Sequence, residues 1–509
     1  MEIMELDDNT INQIGTKVFC WGMVNNYLSE LFQEYSVSNK VIAVIDENSR
    51  LYGKRKIEDV EVMVTSPQIL LNYVKEKISI IITADYYEEI IEKIKSKYDN
   101  CKLKIFYYMT PQTRKEMKYR KKYENHELEN IIVFRSGPTR SQYVEGADFY
   151  DNSRALFEYM VENGYNEKYE LIWLVKEPDR FKKYSSIKNV KFLSFDWEDS
   201  DNEQELDEYY HALCLAKYLF ITDAYGFARN FRKDQKRIQL WHGCGFKTRT
   251  NFNRCENRYD YTTVVSDLYK EIHKDIYGLR EEQVLVTGYA KHDWLFKPYE
   301  KDLSLLLDIK KSSKYIFWLP TFRVADDKLG NLTEYEINPD TGLPTVINYE
   351  QMQMLNDLLF KLDITLIIKL HPFQKNLLVK DYEFSNITVI KNSDMFNKDL
   401  VINRLLASAD ALISDYSSAA VDFLNADKPI AFTLDDVEEY KNSRGFVFDN
   451  IQEWLPGKEV WNFDDFCEFI KEIAEGKDTS KEKREKVAKK MLKYRDNNNC
   501  KRIVEAFNL

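Results

Sequence analysis

No stretch of the 509 residues keeps an uninterrupted apolar run near the roughly 20 residues that a bilayer-spanning helix needs. The amino terminus, MEIMELDDNT, has neither the basic start nor the apolar core of a secretory leader. Cysteine is sparse: seven residues without CxxC spacing argue against a disulfide framework or thiolate zinc site and predict reduced thiols in a cytosolic protein. Signatures of other chemistries are missing too, with no HExxH, no P-loop, no GxSxG and no DxD in a clear strand-end setting. A lone Gly22 falls short of a dinucleotide fingerprint. The net charge of -11 opposes non-specific nucleic-acid binding, and no nucleic-acid partner is expected.

What is present is ample core material, 44% hydrophobic against 31% charged, in a chain too long for one ordinary domain. Apolar strand-like runs alternate with amphipathic helices throughout, which predicts an α/β fold of parallel sheets covered by helices. Three segments emerge. Residues 1–125 carry KVFCWG, VIAVID and ISIIITAD and read as an accessory Rossmann-like domain. Its use is either a nucleotide or small-ligand site near Gly22 or packing and assembly. Residues 126–296 hold IIVFRSG, YELIWLVK, YLFITDA, RIQLWHG and EQVLVTGYAKHDWLF. Residues 297–509 hold YIFWLPTFR, ITLIIKLHP, ALISDYSS and KPIAFTLDD, with a surface loop expected at 325–345. They end in a basic amphipathic helix within 479–497, read as solvated and packed along a domain in preference to membrane contact.

Polar residues cluster at the ends of these runs, where open α/β sheets bind their ligands. His242, in WHG after an apolar strand, has the side chain to take a proton from an attacking hydroxyl near neutral pH. Spacing alone leaves it open between that role and a structural one. Lys247 follows in the same turn. His371 closes IIKLHP beside Lys369, and Thr321 and Arg323 occupy the matching position in LPTFR, where a guanidinium fork suits phosphate. Ser417 and Ser418 stand between a strand and the helical run AAVDFL, placed to bind phosphate or simply to cap the helix. Asp415 and Asp422 flank them as loop-orienting groups or acceptors for ligand hydroxyls. Glu439 and Tyr440 precede the SRGF turn, within range of a ribose or in plain surface packing. His292, between Lys291 and Asp293 in GYAKHD, lies where a strand leaves toward the same opening. No metal is required by these residues and no cofactor is expected.

Taken in order, WHG, PTFR, KLHP, DYSSAAVDF and RGFVFD resemble the CDP-glycerol glycerophosphotransferase family of teichoic acid and capsule polymerases. The resemblance covers roughly residues 130–470 and leaves the first 125 or so outside it. It implies a GT-B architecture of two Rossmann-like domains facing a cleft, with cytidine nucleotide held mainly by the C-terminal one. It implies His242 as general base, with His371, Arg323, Thr321, Ser417 and Ser418 on the diphosphate and Glu439 near the ribose. The family's WHGTPLK stands here as WHGCGFK, and its GxPRxD as GYAKHD, so Lys291 keeps a charge but loses the arginine fork. The implied reaction passes glycerol phosphate or ribitol phosphate from a CDP-alditol to an acceptor hydroxyl and releases CMP. The implied acceptor is a growing polymer on a polyprenyl lipid, met by peripheral contact at the cytoplasmic membrane face. The alternatives are a GT-B glycosyltransferase using CMP-sialic acid or a UDP-sugar, and a non-catalytic polymer-binding protein. Oligomeric state is left open.

Overall fold

The computed structural model describes residues 2–84, 87–137, 148–223, 232–248, 259–307, 312–321, 324–326, 332–334, 338, 340–369 and 383–509. His371 and Arg323 lie outside the described residues, as does part of the 325–345 interval. The chain divides into two compact units, Met1–His126 with Arg229–Arg232, and Glu127–Ala228 with Lys233–Leu509.

The first unit is a seven-stranded sheet in which five strands run in the order Lys102–Tyr107, Lys77–Ile82, Val18–Trp21, Val41–Ile45, Val60–Thr65. Successive residues of its central strand serve opposite faces, as the two-residue period requires. Val18 and Cys20 pack with Leu28 and Leu31 of helix Asn25–Tyr35, whereas Phe19 and Trp21 pack with Ile90 and Ile94 of helix Tyr87–Lys97. A strand buried on both faces reads as a continuous apolar run, which is why KVFCW shows no polar alternation.

The second unit contains two further parallel sheets. One runs Val190–Ser194, Glu170–Val175, Glu129–Ser136, Ala216–Thr222, Lys236–Gln239, Tyr261–Val264, Val284–Val286. The other runs Ile387–Ile390, Ile364–Lys369, Lys314–Trp318, Ala411–Ser414, Ile430–Thr433, Lys458–Val460. In both, the first strand in sequence lies inside the sheet and the chain then builds outward on either side of it. That doubly wound order leaves a crevice at the carboxyl ends where the winding reverses. The reversal falls between Glu129–Ser136 and Ala216–Thr222 in one sheet, and between Lys314–Trp318 and Ala411–Ser414 in the other.

The chain then crosses back. Helix Asn499–Ala506 does not pack on the third sheet, to which a boundary at 297 assigns it. Cys500, Ile503, Val504 and Phe507 sit in the core of the second sheet, with Phe507 edge-on to Phe220 and Tyr261. The basic helix Lys481–Met491 buries Val487, Ala488 and Met491 and leaves most of its lysines outside. Arg484, buried on the same helix, is held by Asp478 and Asp427.

Asp293 fastens the final helix. Its carboxylate accepts from the backbone N–H of Asn499 (2.9 Å) and Cys500 (2.8 Å) and from the Asn499 side-chain amide (2.8 Å). Asp293 therefore caps this helix. Gly288 gives the helix room: its φ is +78°, and a Cβ there would stand 1.8 Å from Asn499 Oδ1. Replacing Gly288 with Ala should cost about 1–3 kcal/mol through overpacking and left-handed strain. Hydrogen exchange across residues 499–507 should rise sharply, and unchanged protection there would refute this account of the helix.

Candidate active site

The carboxyl ends of the second sheet are assembled by buried amides and hydroxyls. Asn152, in the first turn of helix Asp151–Glu162, donates through Nδ2 to the carbonyls of Leu240 (3.2 Å) and Trp241 (2.9 Å). Its Oδ1 accepts the backbone N–H of Lys291 at 3.1 Å. Next to it, the Ser153 hydroxyl meets Thr222 Oγ1 at 2.7 Å. Gln239 Oε1 accepts two backbone N–H groups, from Asp223 (3.2 Å) and Trp241 (3.1 Å). Those two residues, with Asp151, take left-handed backbone: φ is +73° at Asp223, +62° at Trp241 and +57° at Asp151. Each costs about 1–3 kcal/mol, and such strain persists only where the surroundings impose it.

The strained turn presents His242. Its ring stacks on Trp241, with centroids 5.3 Å apart and planes inclined by 19°. Nδ1 is covered and lies 3.4 Å from Asp223 Oδ1 without a completed hydrogen bond. The side chain as a whole is 39% exposed, so the open edge of the ring is the one carrying Nε2.

Beyond His242 the chain runs directly against the third sheet's DYSS loop. A Cβ on Gly243 would fall 2.4 Å from Ser418 Oγ, so only glycine permits this approach. Phe246 and Thr248 then pair with the SRGF turn through Val447 N–H to Phe246 O (2.8 Å) and Thr248 N–H to Gly445 O (3.2 Å). Lys247 stands opposite Phe446 in this short ladder. On the third sheet, buried Asp415 accepts both the N–H (2.8 Å) and the hydroxyl of Thr321, which locks two strand ends together. Both groups are thus engaged within the protein. Ser417 Oγ accepts the N–H of Ala419 at 3.3 Å, whereas Ser418 precedes helix Ala419–Phe423 without capping it through its side chain. Tyr440 is buried against Tyr416 and Phe446 as a wall, and Glu439 is exposed one residue before it. Lys369 ends its strand partly buried, with no described carboxylate paired to it, and desolvation lowers its pKa from 10.5 to about 8.

A buried ion cluster joins the two sheets. Lys291, 3% exposed, donates through Nζ to Asp422 (2.9 Å), Asp151 (3.1 Å) and the backbone carbonyl of His242 (2.6 Å). His292 Nε2 meets the other oxygen of Asp422 at 2.8 Å. Burial opposes the charge on Lys291, but Asp151 and Asp422 outweigh it and hold the ammonium pKa above its ordinary value. Burial likewise raises the Asp422 carboxyl, and Lys291 and His292 more than offset this, leaving it below the usual 3.8. The sequence reading offered Lys291, His292 and Asp422 as ligand contacts; here they bind one another. It passed over Asp151, Asn152, Asp223 and Gln239; for Asp223 the available signal was a polar residue ending an apolar run. Among the described residues, no group of three or more His, Cys, Asp or Glu is arranged to hold a metal ion.

A search against known families matches residues 119–508 to CDP-Glycerol:Poly(glycerophosphate) glycerophosphotransferase. The chain belongs to this family. Among curated relatives, the teichoic acid glycerol-phosphate primase of Bacillus subtilis (strain 168) is 30% identical over 263 residues, 48% of this chain and 62% of that protein. The teichoic acid ribitol-phosphate polymerase TarK of Staphylococcus aureus (strain NCTC 8325 / PS 47) is 28% identical over 315 residues, 58% of this chain and 57% of that protein. The chain thus spans about half the length of the curated relatives it matches. Among solved structures, the wall teichoic acid polymerase TagF superposes with a TM-score of 0.58 at 20% identity, covering 83% of this chain and 97% of that one. That likeness establishes the GT-B fold for the two sheets of the second unit.

Removing the charge at Lys291 leaves two buried carboxylates facing each other. Lys291→Met should destabilise the second unit by about 3–5 kcal/mol. Adding Asp422→Asn should recover part of the loss, and equal instability of single and double variants would contradict the pairing. The sign with pH follows from the depressed Asp422 carboxyl. Its stabilisation stands above the unfolded value of 3.8 and is lost as pH falls through the lower folded value.

Proposed function

We propose that this chain transfers glycerol phosphate or ribitol phosphate from a CDP-alditol to a hydroxyl of a teichoic acid or capsular polymer, releasing CMP. The observation that carries the reading is the abutment of Gly243 on Ser418, which sets the His242 turn of one doubly wound sheet directly beside an uncapped serine of the other. Family membership supplies the donor class.

In this reading the acceptor oxygen attacks the β-phosphorus, the one bearing the alditol. The bond from that phosphorus to the bridging oxygen breaks, its electron pair leaves with CMP, and His242 Nε2 takes the acceptor's proton. General-base help of this kind contributes about 10²–10⁴-fold. The remaining task is neutralising phosphate oxygens, where positioning and charge dominate. Ser418 and Ser417 face that task from the DYSS loop, and Arg323 and His371 join them by family motif. Lys369 adds an ammonium that is costly while unpaired and is relieved by an anion. Thr321 and Asp415 act from behind, holding the strand ends, and Glu439 is assigned to the ribose side. Lys247 keeps the SRGF turn against the His242 loop.

The acceptor is assigned to a polyprenyl-linked polymer approached at the cytoplasmic membrane face. No helix among the described residues is long and apolar enough to cross a membrane, so contact of this chain with the lipid is peripheral in the proposal.

Calorimetry with CDP-glycerol, CDP-ribitol, CMP-sialic acid and UDP-sugars, followed by acceptor-dependent CMP release, tests the assignment. Binding of a CDP-alditol with CMP release supports it. Preference for a nucleotide sugar moves the chain to glycosyltransfer, and nucleotide binding without product under varied acceptors makes it non-catalytic. His242→Ala should abolish turnover while leaving donor affinity within about threefold; parallel loss of both would remove it as the base. Donor affinity should fall as pH rises through about 8, where the Lys369 ammonium discharges. Lys369→Met should flatten that limb, and an unchanged profile would exclude Lys369 from the phosphate site.

A further inference from the structure

We infer that Asp223 is the residue that positions His242: it fixes the imidazole as the Nδ1–H tautomer and steadies the imidazolium formed when Nε2 accepts a proton. This rests on the reading of His242 as the general base. Four observations carry it.

First, the covered nitrogen faces a carboxylate. Nδ1 makes no hydrogen bond, and Asp223 Oδ1 stands 3.4 Å away without the alignment one needs. A small reorientation of ring or carboxylate would complete the bond, and catalytic hydrogen bonds commonly tighten only in the reacting complex. Second, the ring is 39% exposed while Nδ1 is covered, so the free base nitrogen must be Nε2. A proton on Nδ1 leaves Nε2 with its lone pair in the opening. Third, Asp223 and Trp241 both pay for left-handed backbone, at φ +73° and +62°, and one amide oxygen of Gln239 accepts the N–H of each. Gln239, itself 1% exposed, therefore holds the carboxylate and the residue preceding the imidazole in a fixed relation. Fourth, Asp223 follows the last residue of strand Ala216–Thr222, at the point where the winding of the second sheet reverses.

Among the described residues, the charged groups around His242 are these. Asp223 faces Nδ1 from the strand end, and Asp151 approaches from the first turn of its helix. Lys291 binds the His242 carbonyl, and its charge is matched by Asp151 and Asp422. Asp223 is thus the carboxylate directed at the ring.

The test replaces Asp223 with Asn and, separately, with Gly, both of which tolerate left-handed backbone. Each should lower kcat by about 10²–10³-fold with KM and donor Kd changed less than threefold. The acid limb of the kcat/KM profile should move to lower pH, because removing a carboxylate disfavours the imidazolium. The double variant Asp223→Asn, His242→Ala should be no slower than His242→Ala alone, since the two residues act as a unit. Full turnover in Asp223→Asn beside a dead His242→Ala overturns the role of Asp223 and leaves the base assignment standing. Additive losses in the double variant overturn it as well. Turnover surviving in His242→Ala overturns the base assignment and the inference together.

Discussion

Lys291 places a full positive charge where water scarcely reaches, and three oxygens from three parts of the chain converge on it: Asp151 from the helix start beneath the second sheet, Asp422 from beside the DYSS loop of the third, and the carbonyl of His242 between them. Removing any partner strands a charge in a dry interior, at a cost of several kcal/mol. The cluster therefore acts as a three-way pin that sets the WHG turn of one sheet against the serine loop of the other. Gly243 and Gly245 then bring backbone against Ser418 with no side chain between. An arginine in this place would bring a planar fork; the lysine here reaches three acceptors from one nitrogen, a geometry that suits the tetrahedral ammonium.

Around this pin the site is rigid where chemistry needs geometry and poor in partners where a ligand would supply them. Backbone strain gathers at Asp151, Asp223 and Trp241, each restrained by a buried amide or by Lys291. By contrast, the Ser418 hydroxyl does not cap its helix, and the Lys369 ammonium pairs with no described carboxylate. Gln239, Asn152 and Asp415 are by contrast each engaged within the protein.

The alternation of apolar strands and helices made the α/β class legible, because strands buried on both faces of a parallel sheet leave long uninterrupted apolar runs. His242, Ser417 and Ser418 were legible for a related reason: a polar side chain ending such a run has nowhere to go but the sheet's edge. What the chain did not disclose is which of its neighbouring residues turn inward. Lys291, His292 and Asp293 are consecutive within the tight turn Ala290–Phe296, yet Lys291 and His292 reach Asp422 while Asp293 caps the last helix. That sorting depends on partners more than a hundred residues away in sequence, which no local pattern encodes. Asp223 was hidden in plain view, written as the end of a strand. The return of helix Asn499–Ala506 to the second sheet was equally invisible, since its amphipathic face would fit either core.

The account turns on one opening between two sheets serving as the donor site, and a crystal structure of the inactive His242→Ala chain soaked with CDP-glycerol and with CDP-ribitol tests this most directly. The account predicts the cytidine on the third sheet, with the β-phosphorus within hydrogen-bonding reach of the Ser418 hydroxyl and facing the space left by the imidazole. A donor bound with its diphosphate remote from Ser418, or seated in the Met1–His126 unit, would contradict it.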